Sequence, residues 1–75
     1  MGAIRQRFTK AERATFTVGA TVEVRDHARW LTATVTGDIR VSNGYEYLPC
    51  VVADRVSGRP LEWHASAKHV RMPLL

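Results

Sequence analysis

From Phe16 onward, apolar residues recur at every second position, in short runs separated by turn residues. Only an extended strand puts alternate side chains on one face, so this pattern commits most of the chain to β-structure. The runs are residues 21–25, 30–36, 39–41, 45–53, 61–64 and 70–72. Val22 and Val24 define the inner face of the first, and Leu31, Ala33 and Val35 that of the second. Gly19-Ala20 precedes the first run, residues 26–29 connect it to the second, and Gly37-Asp38 closes the second. Asn43-Gly44 joins the third and fourth runs, and both residues tolerate the positive φ of a two-residue hairpin turn. Pro49 lacks a ladder donor, which predicts an edge position or a bulge in the fourth run. Residues 55–60 form a loop around Ser57-Gly58, and residues 65–68 read as one helical or 3₁₀ turn. Pro73 stops the last run. The pattern predicts an all-β barrel of five to six short antiparallel strands, with one 3₁₀ turn before the last strand.

The chain has 75 residues, which leaves room for one such barrel. A domain of this size buries only about 60% of the surface its unfolded chain exposes. Cys50 is the only cysteine, so neither an intrachain disulfide nor a multi-cysteine zinc site is open to it. A tight core or self-association must supply the stability. The domain division is a flexible basic N-terminal arm over residues 1–14 and a barrel domain over residues 15–75. Thr9 and Glu12 have capping-box spacing, so the arm is expected to carry at most one helical turn.

Lys and Arg number 11 against 7 Asp and Glu, a formal charge of +4. Arg5, Arg7, Lys10 and Arg13 face a single acid, Glu12, within residues 1–13, so most of the excess lies in the arm. Such an arm suits phosphate contacts, and also suits a solvated terminus. No run approaches the roughly 18 apolar residues of a membrane span, and the N-terminus lacks an apolar export core. The expected location is the cytoplasm, with no membrane partner.

The order of strand, loop, strand, hairpin, strand, 3₁₀ turn and short last strand resembles the SH3-like barrels. Residues 18–25, then Trp30 and Ala33-Thr34-Val35, resemble the opening of Tudor and agenet domains, which implies an aromatic cage for methylated side chains. Ala14-Thr15-Phe16, Gly19, Val22, Trp30 and Val35-Thr36-Gly37 resemble the start of the plasmid-borne type II dihydrofolate reductases. That resemblance implies a homotetramer with a central pore and a nicotinamide cofactor. The family's pore-lining Val-Gln-Ile-Tyr run is replaced here by Pro60-Leu61-Glu62-Trp63, and its ligand-attracting lysine falls at Val24. The fold therefore carries over and the activity does not.

Trp30 lies on the threonine face of its strand, outside the apolar row. Tyr45 and Tyr47 share a face after the Asn-Gly turn. These three rings are expected to form one contact surface, flanked by Arg25, Arg29 and Arg40. Stacked rings beside guanidinium groups suit single-stranded nucleic acid. Trp63 reads as core, with an interface as the other option. His27, His64 and His69 lack metal-ligand spacing, and Cys50 reads as a small buried apolar residue. No paired carboxylates, Gly-rich phosphate loop or nucleophile motif supports catalysis, and no cofactor or metal is expected. The leading expectation is a non-catalytic module that binds nucleic acid through Arg5, Arg7, Lys10, Arg13, Arg25, Arg29 and Arg40. The alternatives are a protein or peptide partner, self-assembly through strand edges, and the reductase-like homotetramer.

Overall fold

The computed structural model describes residues 7–73. The described chain is all-β apart from one short helix and one 3₁₀ turn. Six antiparallel strands curl into a half-barrel. The strands are β1 (Thr21–Asp26), β2 (Arg29–Val35), β3 (Arg40–Ser42), β4 (Tyr45–Ala53), β5 (Pro60–Ser66) and β6 (Val70–Arg71). Helix α1 (Lys10–Thr15) precedes them, and the 3₁₀ turn (Ala67–His69) separates β5 from β6. The sheet runs β3, β4, β2, β1, β6, with β5 on the other edge of β4.

The predicted alternation sets the inside of the half-barrel. Val22 and Val24 of β1, Ala33 and Val35 of β2, and Leu48, Cys50 and Val52 of β4 are buried in one cluster. Ala65, Ala67 and Val70 close it from the β5–β6 side. Asn43 and Gly44 both hold positive φ, 52° and 79°, as the hairpin signal requires.

The position of β4 differs from the expectation. Despite Pro49 it is the central strand. Tyr47 pairs with both Arg40 and Ser66, and Cys50 pairs with both Val35 and Trp63, so β3 and β2 share one edge of β4. The Asp54 N–H donates to the Arg59 carbonyl at 2.8 Å, which sets the alternation of the β4–β5 ladder. By that alternation Pro49 turns its nitrogen away from β5, toward the gap between the end of β2 and the start of β3. The Pro49 carbonyl accepts from the Thr36 N–H there at 3.0 Å, and the missing donor falls where the neighbouring strand is interrupted.

Residues 8–14 of the expected arm lie on the barrel and not free of it. Phe8 and Phe16 are buried, and their rings meet edge to face at 5.9 Å. Between them α1 opens on the predicted capping box. The Thr9 hydroxyl accepts from the Glu12 N–H at 3.1 Å, and the Glu12 carboxylate accepts from the Thr9 N–H at 2.8 Å. Two aromatic side chains entering the core outweigh the entropy of ordering this segment. Arg5 lies outside the described residues. No helix among the described residues is long and apolar enough to cross a membrane.

Candidate functional site

The three rings expected to share a surface do not meet. Thr34 of β2 lies opposite Val51 of β4, so Trp30 stands level with the loop beyond Ala53. Tyr47 is eight positions further along β4, roughly 25 Å at strand rise. Period-two reasoning assigned all three correctly to outer faces, but only register decides which ends of the sheet they occupy.

Trp30 is half-buried, and its ring is already covered by a cation of this chain. The Arg71 guanidinium carbon lies 4.0 Å from the ring centroid. Arg71 is held there from β6, where it faces Glu23 across the ladder and its Nε donates to Glu23 Oε1 at 2.8 Å. This stack takes up one face of the ring, which a methylated side chain or a base would otherwise use. Nearby, the Arg25 Nε donates to the His27 carbonyl at 2.8 Å, and Arg29 lies 3.7 Å from Asp26. Both are engaged locally, at the β1–β2 hairpin.

At the other end, Arg13 is engaged as well. It pairs with Glu46, a carboxylate on the inner face of β4 that is only 7% exposed. Glu46 also accepts from the Phe8 N–H at 2.8 Å. The Arg13 hydrogen bond, with help from Phe8, holds the Glu46 carboxyl below its ordinary range despite burial. Arg13 therefore fastens α1 to the sheet and is removed from the set of free bases. Arg7 and Lys10 remain exposed.

What the fold does assemble is a groove of about 450 Å³ on the outer face of β3, β4 and β5, lined in part by Gly37, Arg40, Tyr47, Pro49, Glu62 and His64. Arg40 faces Tyr47 directly across the β3–β4 ladder. Tyr47 faces Ser66 on its other side, which makes His64 its diagonal neighbour. The two rings stack, with centroids 5.1 Å apart and planes inclined by 25°. Tyr45 continues the same face and is 41% exposed. Gly37 leaves the groove open beside the Pro49 ring, where a Cβ would touch it at 3.5 Å.

Of the predicted set, the structure thus brings Arg40, Tyr45 and Tyr47 together and places Trp30, Arg25 and Arg29 elsewhere. His64, Glu46 and Arg71 were missed as interacting groups. Glu46 had a signal, because it shares inner parity with Leu48, Cys50 and Val52, where a carboxylate demands a partner. His64 and Arg71 had none short of strand register.

Cys50 is buried, with its Sγ 3.5 Å from the Trp63 carbonyl. Burial pushes the thiol up to about 11, so it stays protonated at neutral pH. Among the described residues no three His, Cys, Asp or Glu side chains stand close enough to hold a metal ion. No family model matches the chain, and no curated protein or solved structure is significantly similar to it.

Proposed function

We propose that the protein is a binding module of the SH3-like small-barrel kind that takes up single-stranded nucleic acid in the β3–β4–β5 groove. One observation carries the reading, namely the Tyr47–His64 ring stack with Arg40 facing Tyr47 across the ladder. A stacked pair of rings presents a flat surface to a base, whatever its identity. A guanidinium next to it supplies the phosphate contact that makes such binding strong and salt-dependent. Exposed Arg7 and Lys10 would add further phosphate contacts. The Trp30 end contributes nothing to this reading, because its ring and its neighbouring bases are engaged within the chain.

Fluorescence anisotropy of a labelled single-stranded oligonucleotide, titrated at several salt concentrations, tests the reading. Tyr47→Ala should weaken binding by roughly tenfold, in line with the loss of one stacking contact. Arg40→Ala should weaken it less at high salt than at low, and should reduce the salt slope by about one. Circular dichroism confirms that both variants fold. No binding even at low salt, or full binding by a folded Tyr47→Ala variant, removes the proposal.

A further inference from the structure

The sheet has three free edges among the described residues, at β3, β6 and β5. β3 has three residues and β6 has two, with Pro73 following shortly. Those are too short to template another strand. β5 has seven residues, pairs only with β4, and exposes Pro60, Leu61, Glu62 and His64. Leu61 is 46% exposed although it lies on the inner face, and Trp63 beside it is only partly buried. The half-barrel therefore ends on an unpaired strand with two large apolar side chains incompletely covered.

The alternation of the ladder tells which backbone groups of β5 point outward. Since Asp54 and Arg59 are a hydrogen-bonded pair, Leu61, Trp63 and Ala65 turn their backbone groups toward β4. Glu62 and His64 turn theirs to the free edge. An antiparallel strand added there must therefore place residues of the same parity opposite Glu62 and His64.

We propose that this edge pairs with β5 of a second copy of the chain, antiparallel and two-fold symmetric about Trp63. This register sets Glu62 opposite His64 of the second copy, and the symmetry repeats the pair on the other side of the axis. Both residues carry outward backbone groups, so each pair exchanges both of its hydrogen bonds. The facing side chains are a carboxylate and an imidazole and not two like charges, which is what makes the edge complementary to itself. The Trp63 side chains meet across the axis as a non-hydrogen-bonded pair, where facing side chains approach most closely. Leu61 meets Ala65 of the second copy and loses its exposed position. A two-fold axis is the simplest closed symmetry, and it leaves no further β5 edge to propagate a fibre. The pairing is a separate claim from the nucleic-acid reading but shares residues with it, since Glu62 and His64 belong both to the strand edge and to the groove.

Light scattering over a concentration series, with sedimentation velocity alongside, reads the association directly. The wild-type mass should rise from one chain to two and stay there. Glu62→Lys places like charges opposite one another when His64 is protonated and removes the carboxylate in any case, so association should weaken by about tenfold. The Glu62→Lys/His64→Glu double variant restores a complementary pair in the same register and should recover the dimer. His64→Pro removes an outward N–H without touching the β4 ladder, and should also weaken association by about tenfold while β-structure persists by circular dichroism. A single-chain mass up to millimolar concentration overturns the proposal. So does a dimer that neither single variant weakens, or a double variant that remains monomeric while folded. Oligonucleotide binding is scored separately on the wild-type chain and on Tyr47→Ala, which leaves the β5 edge intact, so the failure of either idea is visible without the other.

Discussion

At Glu46 the chain puts a carboxylate on the inner face of its central strand, and the N-terminal segment exists in its observed position to satisfy it. The Phe8 amide and the Arg13 guanidinium reach this one side chain from 38 and 33 residues away. The bond to Arg13 holds the pKa of the folded carboxyl below its ordinary value of 4.5. A carboxyl depressed in the folded state stabilises fully above its unfolded value, and that contribution is lost as pH falls through the folded one. Acidification should therefore loosen α1 from the barrel before the sheet melts. Amide hydrogen exchange at Phe8 and Phe16, followed from pH 7 downward, should accelerate below the ordinary carboxylate range relative to exchange in β4. In Glu46→Gln this acid-dependent step should disappear, and protection of the segment at neutral pH should already be reduced. A segment that exchanges with the same pH profile in both proteins contradicts the linkage. Neither residue of this pair announces the other in sequence. Arg13 reads as one more base in a basic stretch, and only parity marks Glu46 as unusual.

Among the elements, the hairpins were legible and the strand neighbours were not. Asn43-Gly44 specifies its turn through local dihedral preference alone, so one dipeptide suffices. Gly44 sits at φ 79° with open space where a Cβ would stand. Its replacement by Ala costs conformational strain and no clash, about 1–2 kcal/mol, readable as a lower urea midpoint at unchanged m-value. The capping box is local in the same way. Thr9→Ala should cost about 1 kcal/mol, provided α1 is docked in the folded protein. An unchanged midpoint in Thr9→Ala would mean that α1 adds nothing to global stability. Pro49 shows the limit of local reading. Its missing donor argued for an edge or a bulge, yet β4 is paired on both sides, one of them shared by β3 and β2, and the proline occupies the break between them. The aromatic surface failed for the same reason. Tyr47 and His64 meet because of the β4–β5 register, and Trp30 is carried to the opposite end by the β2–β4 register. Parity is written into each strand, but register depends on which strands become neighbours.

For the whole molecule, the basic N-terminal stretch is part of the fold from Phe8 onward, so its charge and its packing must be separated by two truncations. Removing residues 1–6 takes away Arg5 and leaves Phe8, α1 and Arg13 in place. Loss of oligonucleotide binding at unchanged thermal stability then reports the charge of this stretch and not its packing. Removing residues 1–13 also takes Phe8 from the core and leaves Glu46 without either partner. Loss of a buried Phe side chain alone costs about 3–5 kcal/mol. A chain of this length is stable by about 4–11 kcal/mol in total, so the longer truncation should be close to unfolded at 37 °C. Part of that loss comes from an uncompensated carboxylate on an apolar face, which a second substitution can remove. Glu46→Leu should destabilise the full chain, where it breaks the Arg13 pair, and should stabilise the longer truncation, where no pair remains to be broken. Urea unfolding of the four proteins, two lengths with and without Glu46→Leu, measures this reversal of sign. Equal effects of Glu46→Leu at both lengths would show that residues 1–13 do not supply the partners of Glu46 in solution, and that the barrel closes without them.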